Sequence, residues 1–317
     1  MKKCLSLLLL LLPFLSLHAV PAGNSDVADS STYTFVSRNG KPLLMDVYRP
    51  RQPRADSACV VYMFGGGFVT GSRTDDAVRQ YCKLLAQRGF VAVAIDYRLH
   101  LKEVDFDTVT LFKLQHVFRD AINIAANDAS EAVAFICRHA DEWGVARNRI
   151  VLAGGSAGAI AALQLDYCRA NDLQPAAPLP DGWKPAAVVA YAGAVYCDGA
   201  RPHFDSAPAP TFFLHGKKGK IVNYKKFPPL LRSGLYGPKK LHRLFEKDGY
   251  PHWFFRFEEL GHEVASLHIY TIEEFEAFVN KSLTGSVMYY DADVRDKGLQ
   301  PTKWTKMNVF DLYKGND

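Results

Sequence analysis

Short apolar runs alternate with amphipathic stretches along most of the chain. Runs of mostly apolar residues that are too short for helices predict buried strands, and they lie at residues 58–64, 91–95, 150–153, 187–192, 211–214 and 253–257. Apolar residues at helical spacing between these runs predict helices at 75–88, 128–143, 157–170 and 271–283. Strands that are apolar on both faces and separated by helices indicate a mostly parallel sheet with helices on both faces, an α/β fold.

A different pattern precedes the first buried strand. Residues 33–38 and 43–48 flank the dipeptide Asn39-Gly40, which is typical of a tight turn between antiparallel strands. We therefore expect an antiparallel N-terminal hairpin. Residues 100–123 mix aromatic and charged positions, and they fit either a connecting helix or a lid over a site.

Neither a repeat nor a linker divides the chain after its first residues, which predicts a single domain from residue 20 to 317. Its core covers about residues 30–283, and a polar tail follows at 284–317. The tail contains large aromatic side chains, which predict that it packs on the domain. They are Tyr289, Tyr290, Trp304, Phe310 and Tyr313.

The longest apolar run lies at the N-terminus. Lys2 and Lys3 precede residues 5–17, a stretch too short to span a bilayer, and small residues follow it. This layout predicts a signal peptide over residues 1–19, cut near Ala19 or Ala22. The mature chain would then be periplasmic or extracellular, with no membrane span left after cleavage.

Composition narrows the class of protein further. The chain has 317 residues, of which 48% are hydrophobic and 22% charged, as in ordinary globular proteins and unlike disordered chains, collagens or coiled coils. A net charge of +5 is too weak to imply a nucleic-acid partner. The cysteines beyond the leader lack metal-type spacing and predict buried free thiols. They are Cys59, Cys82, Cys137, Cys168 and Cys197.

The main chemical signal is the sequence GGSAG at residues 154–158. It directly follows one predicted strand and directly precedes a predicted helix. A tight strand–turn–helix junction pushes a serine hydroxyl into the open, and flanking glycines let the strand and the helix pass close to it. Ser156 is therefore the predicted nucleophile. The alternative is a glycine-rich turn with an idle serine.

A second glycine-rich segment, FGGGF at residues 64–68, follows the first buried strand. Acyl transfer generates an oxyanion, which needs backbone N–H donors fixed in advance. We expect these donors at Gly66 and Gly67, together with Ala157, the residue after the nucleophile. No Lys-Ser or Lys-Thr pair follows the glycines, which argues against a phosphate loop.

The general base is expected after the last buried strand. His262 follows that strand and precedes the final predicted helix. Sites in open α/β sheets form at the carboxyl ends of strands, so His262 is the predicted base. His215, after a neighbouring strand, is the competing candidate.

These segments together resemble the α/β-hydrolase esterases, particularly the hormone-sensitive-lipase and bacterial carboxylesterase-like branch. The matching text covers about residues 40–283 and reads FGGGFVTGS, IDYRL, RNRIVLAGGSAG, FFLHGKKGKIVNY and LGHEVA. The resemblance implies the α/β-hydrolase fold and hydrolysis of carboxylic esters through an acyl-enzyme at the serine. It also implies no metal and no organic cofactor. The predicted export adds the expectation of a small-molecule or saccharide ester outside the cytoplasm as substrate.

The chain departs from that family at three positions. Phe64 stands where the family usually has His, and Gly155 where it often has an acid. More important, Gly219 occupies the usual position of the triad acid in the loop HGKKGKIV.

Loss of the acid in comparable triads costs roughly 10⁴-fold in rate. We expect Asp198 to replace the missing carboxylate, with Asp205 as second choice. Without a replacement, the chain would be a weak Ser–His enzyme or a binding protein with an inactive hydrolase fold.

Overall fold

The computed structural model describes residues 30–51, 56–106, 109, 111–228 and 232–313. Within these residues a nine-stranded sheet forms the centre of the molecule. Its strands are β1 (Ser31–Arg38), β2 (Lys41–Tyr48), β3 (Ser57–Met63), β4 (Val91–Ile95), β5 (Val145–Gly155), β6 (Ala187–Tyr191), β8 (Thr211–Gly216), β11 (His252–Phe257) and β12 (Tyr290–Val294). A smaller sheet contains β7 (Val195–Cys197), β9 (Lys226–Phe227) and β10 (Gly234–Tyr236).

The strand order of the large sheet is β1-β2-β4-β3-β5-β6-β8-β11-β12. All pairs from β4 to β12 are parallel, whereas β1–β2 and β2–β4 are antiparallel. The predicted N-terminal hairpin is therefore confirmed. Asn39 and Gly40 both have positive φ, as a tight hairpin turn requires.

Helices cover both faces of the sheet. They are α1 (Asp76–Gln87), α2 (Leu111–Arg138), α3 (Ala140–Trp143), α4 (Ala157–Ala170), α5 (Pro238–Asp248), α6 (Ile272–Leu283), α7 (Lys303–Lys306) and α8 (Val309–Tyr313). Neighbouring residues of a strand point to opposite faces. Phe212 contacts Phe278 of α6, and Phe213 contacts Phe245 of α5, so these two helices lie on opposite faces.

The connection between β4 and the following helix is mostly helical. The sequence left two interpretations open for residues 100–123. Their described part contains a short 3₁₀ helix (His100–Glu103) and the beginning of α2. The predicted connecting helix is therefore confirmed, and a role of this segment as a lid stays a prediction. Helix α2 starts well before residue 128, where the apolar spacing had placed the helix.

The polar tail packs on the domain, as its aromatic residues predict. It supplies β12, which pairs in parallel with β11, and then α7 and α8. The sequence did not predict β12 because the strand is polar. It is held by Arg256, whose guanidinium bonds both Asp291 and Asp293.

Two further sequence predictions concern the interior. All five cysteines of the described residues are buried and free, as predicted. No helix in the described part of the chain is long and apolar enough to cross a membrane. The predicted signal peptide, residues 1–19, lies outside the described residues.

Candidate active site

The turn between β5 and α4 holds Ser156 in an unusual backbone conformation. Its φ of 54° and ψ of −119° lie in a region that residues other than glycine rarely adopt. The turn is possible because its neighbours have no side chain. A Cβ on Gly158 would collide with the carbonyl oxygen of Met63, and one on Gly155 with that of Ala265. The sequence GGSAG thus forms the tight junction that its pattern predicts.

The side chains of Ser156 and His262 meet at the edge of the large sheet where the parallel strands have their carboxyl ends. Ser156 Oγ lies 2.8 Å from His262 Nε2, and the two residues are 7% and 8% exposed. His262 opens a 3₁₀ helix, His262–Ser266, directly after β11. The competing His215 points elsewhere: its Nε2 lies 3.0 Å from the carbonyl oxygen of Val222.

Burial sets the protonation state of His262. It lowers the pKa of His262 to about 4, although the negative charge of Glu263 acts in the opposite direction. The imidazole is therefore neutral at pH 7, and Nε2 can accept the proton of the serine hydroxyl.

The glycine-rich loop after β3 lies directly against the nucleophile, since a Cβ on Gly65 would be 3.4 Å from Ser156 Cβ. The conformation of the loop is held by hydrogen bonds to one of its own carbonyl groups. The Gly66 oxygen accepts from the amides of Val69 and Thr70 at 3.1 and 3.0 Å. Because a peptide unit is planar, fixing a carbonyl also fixes the N–H of the next residue.

The expected oxyanion donors are available for a ligand. Among the described residues, the amide N–H groups of Gly66, Gly67 and Ala157 donate no hydrogen bond. Ala157 is the first residue of α4, where such N–H groups have no partner inside the helix. The arrangement therefore offers unpaired donors on the loop and at the helix start.

The expected carboxylate does not reach the base. His262 Nδ1 is buried and has no hydrogen-bond partner within the described chain. Asp198 instead interacts with Arg119 and Tyr196, and Asp205 lies 3.6 Å from His203. The predicted contacts of Asp198 and Asp205 with His262 are thus corrected.

The physical reason for this correction is the pairing of β7. Cys197, the residue before Asp198, pairs with Gly234 of β10 in the small sheet. This pairing directs the loop that carries Asp198 toward β10 rather than along the large sheet. A loop sequence gives no sign of such a long-range pairing.

Gly219, at the usual acid position, lies in a crowded loop after β8. A Cβ there would be 3.1 Å from the Gly216 oxygen and 3.2 Å from His215 Nε2. His215 is itself buried, and burial lowers its pKa to about 3. The loop that carries the acid in the resembled family is here closely packed around a neutral histidine.

The C-terminal residues reach the base. We call residues 302–313 the C-terminal cover. Glu263 Oε1 accepts from the amide and hydroxyl of Thr302 and from the hydroxyl of Thr305 at 2.7–2.8 Å, and its Oε2 accepts from the Gly261 amide at 2.8 Å. Partial burial raises the pKa of Glu263, but hydrogen bonds from its own backbone amide and from Thr302 and Thr305 together lower it to about 2. A carboxylate next to the base therefore ties the cover to the turn that carries His262.

The cover also reaches the oxyanion loop. Tyr313 Oη donates to the Gly67 carbonyl oxygen at 2.8 Å. Its ring stacks on Phe106 with a centroid separation of 4.5 Å and meets Phe118 edge-on at 5.3 Å. Sequence reasoning predicted that the tail packs on the domain but not that it packs at this site. The aromatic residues of the tail were the only feature of the sequence that indicated its packing.

Comparisons with known proteins find similarity over part of the chain. The family model described as BD-FAE matches residues 45–174, which include Gly66, Gly67 and Ser156 but not His262. "Ethyl acetate hydrolase" of Pseudomonas putida is 30% identical over 164 residues, which is 50% of this chain and 46% of that protein. "Esterase LipC" of Mycobacterium tuberculosis is 32% identical over 148 residues, which is 44% of this chain and 30% of that protein.

A plant protein and a solved structure extend the comparison. "Probable isoprenylcysteine alpha-carbonyl methylesterase ICME" of Oryza sativa subsp. japonica is 30% identical over 115 residues, 36% of this chain and 23% of that protein. The chain thus spans less than half the length of these curated relatives. The "Apo form of Thermogutta terrifontis esterase 2" superposes with a TM-score of 0.59 and 22% identity, covering 82% of this chain and 96% of that one.

The structural likeness shows the fold, and the sequence match covers the nucleophile turn and the glycine-rich loop. The parallel sheet, the Ser156 junction and the structural match show the α/β-hydrolase fold, and over the matched segments the chain is similar to proteins named as esterases.

Proposed function

We propose that the chain is a serine hydrolase of small carboxylic esters. The observation that carries this proposal is the 2.8 Å contact between Ser156 Oγ and His262 Nε2, beside the unpaired N–H groups of the loop and the helix start. A nucleophile bonded to its base next to oxyanion donors is the arrangement that acyl transfer requires.

The proposed reaction has two halves. His262 Nε2 takes the hydroxyl proton while Ser156 Oγ bonds to the acyl carbon, and the resulting oxyanion accepts hydrogen bonds from Gly66, Gly67 and Ala157. The ester C–O bond then breaks, and the alcohol leaves with the proton from His262. Water, deprotonated by His262, then attacks the acyl carbon of the acyl-enzyme. The bond between that carbon and Ser156 Oγ breaks, Ser156 Oγ takes the proton from His262, and the acid is released.

The absent acid sets the expected rate. In comparable triads the acid is worth roughly 10⁴-fold, because it orients the imidazole and stabilises the imidazolium. Here the neighbouring Glu263 carboxylate raises the pKa of His262, so its charge favours the imidazolium without bonding Nδ1. We therefore expect a slow Ser–His enzyme and not an inactive protein.

The proposed substrate class is small esters. Support comes from similar proteins, which include one named ethyl acetate hydrolase and the esterase structures titled "Est2-Propionate bound" and "Est2-butyrate bound". Acylated saccharides are included in the proposal because the predicted leader points to substrates outside the cytoplasm. N-terminal sequencing of the secreted chain tests export, with a start near residue 20 as the expected result.

The test of the activity combines a covalent probe with ester hydrolysis. A fluorophosphonate should label Ser156, and purified protein should hydrolyse p-nitrophenyl acetate and butyrate. Ser156→Ala should abolish labelling and hydrolysis, while Ser37→Ala, on an exposed position of β1, should keep both. Absence of labelling and hydrolysis in the folded wild type would favour the non-catalytic binding protein.

A further inference from the structure

The glycine-rich loop depends on one contact from the other end of the chain. Gly67 has a φ of +63°, and without a side chain its two flanking peptide units can rotate readily. The unit before it is fixed by the hydrogen bonds to the Gly66 carbonyl. Within the described residues, the carbonyl of Gly67 itself accepts only the hydroxyl of Tyr313.

The C-terminal cover packs closely against Gly67. A Cβ on Gly67 would be 2.8 Å from Leu312 Cδ2 and 3.1 Å from Tyr313 Oη. The ring of Tyr313 is fixed by Phe106 and Phe118, so its hydroxyl meets the loop from a constrained direction. Burial also raises the pKa of the Tyr313 hydroxyl, which keeps the group protonated and able to donate.

We infer that Tyr313 is a positioning residue for the oxyanion hole, and that the hole is complete only when the C-terminal cover is docked. This inference rests on the proposed ester hydrolysis. Oxyanion donors act because they are aimed before the reaction. The peptide unit after Gly67 carries the N–H of Phe68, but it lies inside the turn that the amides of Val69 and Thr70 close on the Gly66 carbonyl. A second orientation of this unit would weaken the hydrogen bonds that fix the N–H of Gly67, and would remove a fraction of the molecules from the competent state.

The test separates the hydroxyl from the ring. Tyr313→Phe keeps the aromatic contacts and removes only the hydrogen bond to Gly67. Removal of a single oxyanion-hole donor costs roughly 10²–10³ in kcat, so loss of an orienting contact should cost less, about 3- to 30-fold. We expect this loss in kcat for p-nitrophenyl butyrate, with KM within about twofold of wild type.

Two controls accompany the variant. Tyr290→Phe removes an exposed hydroxyl on β12, far from the loop, and should leave kcat unchanged. A chain ending at Asn308 lacks α8 altogether and should lose at least as much kcat as Tyr313→Phe. The Tm of Tyr313→Phe should lie close to that of the wild type.

The outcomes are distinct. If wild-type protein neither labels with fluorophosphonate nor hydrolyses esters, the proposed function fails. If the wild type is active and Tyr313→Phe has an unchanged kcat, the inference about Tyr313 is wrong. A kcat loss that follows a loss of Tm, or that Tyr290→Phe shares, would also overturn it, because a purely structural role gives that result.

Discussion

The rate of ester hydrolysis should remain high in mildly acidic solution. For a general base, kcat/KM follows the fraction of neutral imidazole in the free enzyme. Burial lowers the pKa of His262 to about 4 from the usual 6.5. At pH 5.5 a base with that pKa is about 97% neutral, whereas one with the ordinary value is about 9% neutral.

The assay compares kcat/KM between pH 4 and 8, with the Ser156→Ala protein as the blank for spontaneous hydrolysis. We expect a plateau down to about pH 5 and an acid limb near pH 4. An acid limb near 6.5 or above would refute the reasoning, since it would mean that His262 is hydrated or has a carboxylate partner in solution.

Folding must be monitored in the same pH range. Burial lowers the pKa of His262, His215 and His268 below that of unfolded histidine, to about 4, 3 and 4. The unfolded chain therefore binds more protons below about pH 6.5, and stability decreases as the pH falls from there toward 4. Thermal melts at each pH, and short assays started by a pH jump from 7.5, separate titration of the base from unfolding.

Substitutions at four positions test the surroundings of His262 and the packing of the Ser156 turn. Glu263→Gln should move the acid limb to lower pH, because the Glu263 charge raises the pKa of His262; an unmoved limb would contradict this. Gly219→Asp should raise kcat and move the acid limb to higher pH. Position 219 lies against His215, which is close enough to His262 for the two imidazoles to interact electrostatically, so a carboxylate there should favour the imidazolium of His262. Gly219→Asn is the uncharged control. Asp198→Asn should leave both kcat and the acid limb unchanged. A loss of roughly 10³-fold in kcat would mean that Asp198 is the triad acid after all. Urea unfolding of Gly155→Ala should show a loss of about 1–3 kcal/mol, because its Cβ meets the Ala265 backbone.

Local patterns in the sequence were sufficient to single out Ser156 and His262, whose side chains lie 2.8 Å apart in the structure. The turn at Ser156 is determined by residues within a few positions of it, and His262 follows from the order of strands along the chain. Asp198 could not be placed in this way, because its position depends on the pairing of β7 with β10. A loop carboxylate and a catalytic one look alike until the partners of the neighbouring strand are known.

The C-terminal part of the fold was harder to predict for a related reason. Strand β12 is polar, and its stability depends on Arg256 meeting Asp291 and Asp293, not on apolar alternation. The cover depends on single hydrogen bonds between residues far apart in the chain, such as Tyr313 and Gly67. Neither kind of contact leaves a periodic signal in the sequence.

A histidine without a carboxylate on Nδ1 must be oriented by other means. In this chain the turn that carries His262 is held by Glu263, which bonds the Gly261 amide on one side and Thr302 and Thr305 on the other. The base is thus oriented by the position of its backbone and by its contact with Ser156. Since the same cover also holds the oxyanion loop through Tyr313, its docking supports both halves of the site. Removal of the whole cover should then reduce kcat more than removal of α8 alone, because it releases the base as well as the loop.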